Sequence, residues 1–105
     1  MSEITIYLLS QIADYLVSLS TTIRLYDKSL KLIKELISTN KKEYIENGYR
    51  VTFSAGDEST DEYTVYKAEL YDTSSDNVLA YFTVEKTKAF NEILIVEFYI
   101  DLTKA

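Results

Sequence analysis

The chain has 105 residues, 47% of them apolar and 27% charged, with a net charge of −6. This size and balance fit one globular domain with a thin but adequate core, and no apolar run reaches the roughly 18 residues of a membrane-spanning helix. There is no His, Cys, Trp or Pro, which excludes disulfides, thiolate and histidine catalysis and zinc sites, and suits a cytoplasmic setting.

The first residues, "MSEITIYLLSQIADYL", carry no basic leader, and polar residues interrupt their apolar stretch. No secretory signal is expected there. "EITIYLL" alternates Ile4, Ile6 and Leu8 and could form a short strand. A stronger regularity follows at once. Leu9, Ile12, Leu16, Leu19, Ile23, Tyr26, Leu30, Ile33 and Ile37 are spaced alternately three and four residues apart. That is a heptad ladder, and it predicts one long helix of roughly 42 Å at about 1.5 Å per residue. Leu8, Tyr15, Leu25, Leu32 and Leu36 widen the stripe beyond a coiled-coil seam. "SLSTT" at 18–22 is rich in residues that favour caps and turns, so an αα-hairpin broken there is the alternative.

The helical region is expected to end either at "STN" (38–40) or at a Gly48 cap. A third reading makes Asn47-Gly48 a hairpin turn, with 42–46 a strand opposite 49–54. Beyond Tyr49 the period changes to two. Strands are predicted over 49–55, 62–71, 77–85 and 92–102, joined by short connections full of turn formers. Short connections imply antiparallel neighbours. The expected fold is α+β: a single domain, 1–105, in which a helical half (1–47) lies across a four-stranded antiparallel meander (49–102).

One face of that sheet would hold Val51 and Phe53, then Tyr66, Ala68 and Leu70, then Val78, Ala80, Phe82 and Val84, then Leu94 to Leu102 in alternation. The other face is unusually apolar. Val65, Leu79, Tyr81, Ile93 and Ile95, with Tyr63 and Tyr99, are expected to form an interface patch, since leftover apolar surface on a folded chain marks contact with something. Four of the chain's ten Tyr fall on this face (Tyr63, Tyr71, Tyr81 and Tyr99), and Tyr is enriched where proteins touch.

Chemistry is scarce. Two glycines permit no phosphate loop, and a serine triad lacks its His. "GDESTDE" gathers Asp57, Glu58, Asp61 and Glu62. It departs from EF-hand spacing and is read as a solvated hairpin loop rather than a cation site. Glu69, Glu85 and Glu97 show no cleft of the kind a paired-acid glycosidase needs. No cofactor, metal or catalytic residue is expected. Residues 1–48 are charge-balanced and residues 49–105 carry the whole −6, so nucleic acid is an unfavourable partner, save through the locally basic segment 24–42.

The expected function is therefore a non-enzymatic interaction module that binds itself, as a dimer or higher oligomer, or a larger protein, as an adapter or inhibitor. The alternatives are an apolar-ligand-binding domain or a weak nucleic-acid binder. In composition the chain resembles the small proteins of hyperthermophilic archaea and their viruses, with a single Gln and many Ile, Tyr, Lys and Glu. That resemblance implies a thermophilic anti-host or anti-defence factor.

Overall fold

The computed structural model describes residues 2–104. It contains one helix, α1 (Ile6–Val17), followed by seven strands: β1 (Thr21–Tyr26), β2 (Leu32–Ile37), β3 (Thr39–Ile45), β4 (Gly48–Asp57), β5 (Tyr63–Asp72), β6 (Asn77–Lys88) and β7 (Leu94–Thr103). A long helix on a four-stranded meander does not form. The protein is mostly β, in two antiparallel sheets ordered β2-β1-β5-β6 and β3-β4-β7.

The helix ends where the turn-forming stretch begins. Thr5 caps its start by accepting the Leu8 N–H at 3.2 Å, and Ser18 closes its end with a hydroxyl bond to the Tyr15 carbonyl at 2.6 Å. From Thr21 the β-branched run takes over. Ile23 and Leu25, two apart, are both fully buried, so the period-two pattern inside the ladder prevails over the heptad. The β1–β2 turn needs neither Gly nor Pro. The Asp27 carboxylate accepts the N–H groups of Ser29 and Lys31 at 2.8 and 2.9 Å, and Leu30 takes a left-handed conformation at φ 61°.

The chain alternates between sheets by hairpins. β1–β2 lies in the first sheet, β3–β4 in the second, β5–β6 in the first, and β7 adds singly to the second. Ser38 alone separates β2 from β3. Its hydroxyl meets Thr21 Oγ1 and donates to Asn40 Oδ1 (2.7 Å), while Asn40 donates to the Leu19 carbonyl at 3.0 Å, so these three side chains satisfy one another and the chain at this corner. The β3–β4 turn is Glu46-Asn47, with Asn47 at φ 62°. Gly48 is neither a helix cap nor a turn residue. It opens β4, where a Cβ would lie 1.9 Å from the Leu102 carbonyl oxygen, so only glycine fits.

Between the sheets lies one core. Ile23, Leu25, Ala68 and Leu70 face Val51, Phe53, Ala55, Val96 and Phe98, and Phe82 meets Phe98 with ring centroids 5.0 Å apart. Ala13, Leu16 and Val17 of α1 complete it, the helix lying against β4, β3 and β7. The body is long, 51 × 26 × 21 Å, with a radius of gyration of 15.6 Å, where a compact chain of this length would have about 13 Å. Elongation leaves more surface to cover per residue. No helix among the described residues is long and apolar enough to cross a membrane.

Candidate functional site: the open rim between β6 and β7

The expected patch does not exist as one sheet face, because β6 and β7 belong to different sheets. Leu79 and Tyr81 lie on β6, and Ile95 and Tyr99 on β7, with Ile93 just before it. All five are exposed, Tyr81 and Ile95 each at 65% and Ile93 at 60%. Val65 and Tyr63 are a correction. The β5–β6 register shifts between Val65 and Lys67, and across that irregularity Val65 turns inward beside Ala68, to 2% exposure, with Tyr63 packed on the same core. Tyr66 correspondingly turns outward, its hydroxyl donating to Glu85 at 3.0 Å.

What the sequence left unseen is the seam where the two sheets part. A cleft of about 220 Å³ opens there, lined by Val65, Ala68, Phe82, Val84 and Lys86 on one side and Leu94, Ile95, Val96 and Glu97 on the other. Its lining is largely apolar. Phe90 stands exposed on the loop that joins β6 to β7. Two polar supports hold the exposed tyrosines. Lys67 lies 4.8 Å from the Tyr81 ring, and Arg50, itself bonded to Asp101 through two nitrogens at 2.7 and 3.1 Å, lies 5.2 Å from the Tyr99 ring. The Tyr99 hydroxyl donates to Glu97 at 3.0 Å, which raises the phenol above its usual pKa.

Four strands end the two sheets, and they are guarded unequally. β2 and β3 are short, six and seven residues, and carry Lys34 and Lys41 with Lys42. β6 is twelve residues long but its register is broken twice and it ends in Lys86 and Lys88. β7 is ten residues long, pairs with β4 from Gly48–Thr103 to Asp57–Leu94 without a break, and bears no lysine. Short edges, lysines and bulges are the usual protections against strand pairing. β7 has none of them.

The acidic loop has a different role. Asp57, 5% exposed, accepts the Tyr63 hydroxyl at 2.6 Å and the Ser59 N–H at 2.9 Å, with Lys34 at 3.8 Å. Burial alone would raise its pKa; these donors outweigh it and bring the carboxyl to about 2. Burial, then Asp57, holds Tyr63 far above the ordinary phenol range. Asp61 pairs with Lys34. Lys88, 1% exposed, donates to the carbonyls of Ser59, Asp61 (2.9 Å) and Ala89 (3.3 Å). Backbone oxygens that could have faced a metal ion thus face the chain's own ammonium. No group of three or more acids among the described residues is arranged to hold a metal ion.

Two other surfaces bear on function. The segment 24–42 is a β-hairpin and the strand after it, not a basic helix. Arg24 pairs with Glu35, Lys34 with Asp61, Lys41 with Glu43 and Lys42 with Asp14. A second depression holds the hydroxyls of Ser20, Thr21, Thr22, Ser38 and Thr73, where Thr22 Oγ1 is buried with no partner among the described residues. Comparison with protein families, curated proteins and solved structures returned no match.

Proposed function

We propose that this protein is a binding module rather than an enzyme, whose β6–β7 rim docks on a macromolecule, either a second copy of the chain or a larger protein that it serves as adapter or inhibitor. The observation that carries the reading is the coincidence, along β7, of an unprotected strand edge, an apolar cleft lined in part by exposed Ile95, and exposed Ile93 and Tyr99 before and on the same strand. Exposed apolar groups gathered beside a free edge are the usual substrate for strand addition: backbone bonds supply affinity and the flanking pockets supply selectivity. The absence of His and Cys, and the commitment of Asp57 and Asp61 to internal partners, support binding over catalysis.

A photoreactive phenylalanine analogue at Ile95 tests this, with the same analogue at Lys41, exposed on the β3 edge, as control. Illumination of cells making the protein should give discrete adducts at position 95 and few at 41. Equal labelling at both positions would remove the rim's special status. A second reading, a small apolar ligand, is favoured by the cleft itself, which Ala68 helps to widen. Native mass spectrometry of the purified chain separates the two through a bound mass of a few hundred daltons or its absence.

A further inference from the structure

The symmetry of the two sheets points to what fills the rim. In the four-stranded sheet, β5 lies beside the central β1 and is itself covered by β6. In the three-stranded sheet, β7 lies beside the central β4, and among the described residues nothing covers it. One strand position is vacant along all of β7. We infer that a second copy of this chain occupies it, β7 against β7 about a two-fold axis at Phe98, joining two three-stranded sheets into one of six. This rests on the rim reading above and names its partner.

The case for a second copy is that β7 is complementary to itself. Its core-side residues, Leu94, Val96, Phe98, Ile100 and Leu102, are all apolar and read nearly the same in both directions. In an antiparallel pair centred on Phe98, Leu94 stands opposite the copy's Leu102 and Val96 opposite its Ile100. Leu94 and Val96 line the cleft, so the copy's Ile100 and Leu102, both only partly buried in a single chain, would close it along β7. On the outward side Glu97 meets Tyr99 and Ile95 meets Asp101.

Charge selects this register. Directly opposed like charges destabilise a strand pair. A pair centred on Glu97 opposes Glu97 to itself, and one centred on Tyr99 opposes Glu97 to Asp101 twice. The Phe98 register overlaps nearly the whole strand and opposes no two acids.

Sedimentation velocity on the purified chain, from low to high micromolar concentration, tests the inference with two variants at one exposed position. Ile95→Asp sets an acid opposite the copy's Asp101 twice per dimer and should weaken the dimer roughly tenfold or more. Ile95→Lys sets opposite charges there and should leave the dimer intact or tighten it. Circular dichroism should show both folded. Because the chain has no cysteine, the register can also be read by oxidation. A mixture of Glu97→Cys and Tyr99→Cys chains should cross-link faster than either chain alone. Weakening by both Ile95 variants alike, or fastest linkage of one cysteine variant to itself, would overturn the register. A chain that stays single at every concentration would overturn the second copy altogether. Adducts to another protein at position 95 would then leave the rim reading standing, and their absence would end both.

Discussion

The corner between β4 and β5 and the free edge of β7 are in touch, since Asp57 stands directly opposite Leu94, yet they treat polar groups in opposite ways. At the corner each buried charge has its partners within the chain: Asp57 has Tyr63, Ser59 and Lys34, and Lys88 has three carbonyls. Along the edge, every second residue of an unbroken ten-residue strand turns its backbone N–H and C=O away from β4, where no further strand of the described residues pairs with them. The first region is complete in one chain and serves stability. The second is left open by this chain, and the proposed function places a partner there.

Substitutions should separate the two regions sharply. The largest effect is expected from Leu94→Asp, which sets a second carboxylate against buried Asp57. It should cost more than about 3 kcal/mol in chemical denaturation, enough to unfold a domain of ordinary stability. Phe53→Ala, at the fully buried centre of β4, should cost about 3–5 kcal/mol and marks the scale of the shared core. Lys88→Met leaves three carbonyls of the corner without their donor and should cost about 1–3 kcal/mol, with no change in association.

A smaller effect follows from pH. The Asp57 carboxyl falls to about 2 in the folded chain, against about 3.9 unfolded. Its contribution is therefore complete above about pH 4 and is lost as pH drops toward 2. Thermal melts of the wild type should fall over that window, and those of Asp57→Asn should fall less steeply. Smallest in stability, and largest in binding, is Ile93→Asp. It lies one residue from Leu94 but is exposed, so melting should shift by no more than about 0.5 kcal/mol while rim adducts disappear. Equal damage from Ile93→Asp and Leu94→Asp would erase the distinction between corner and edge.

The strands of the second half were legible because Val51, Phe53, Ala68, Leu70, Leu94, Val96 and Phe98 recur every second residue within short runs bounded by turn formers, and each is buried. Their order was not. A five-residue connection such as 58–62 reads equally as a hairpin turn or as a crossing between sheets, and here it crosses. The first half misled because leucines and isoleucines dense enough to satisfy a three-four spacing also satisfy a spacing of two. The deciding signals were the β-branched Thr21, Thr22 and Ile23 and the turn made by Asp27. Exposure of Ile95 and Tyr99 followed from alternation along β7, but on β6 the same pattern placed Val78 and Val84 inward and both are exposed, as Leu79 and Tyr81 are. Val65 and Tyr63 went the other way because a register shift in β5 leaves no trace in composition.

The cradle around Lys88 has one more consequence. Loops of acids and carbonyls commonly borrow a divalent ion from solvent, and then dialysis against a chelator takes their order away. Here the positive charge is tethered by its own covalent stem, so it cannot be washed out, exchanged or starved. The corner should hold its shape in any ionic medium, and calcium should find no vacancy in it.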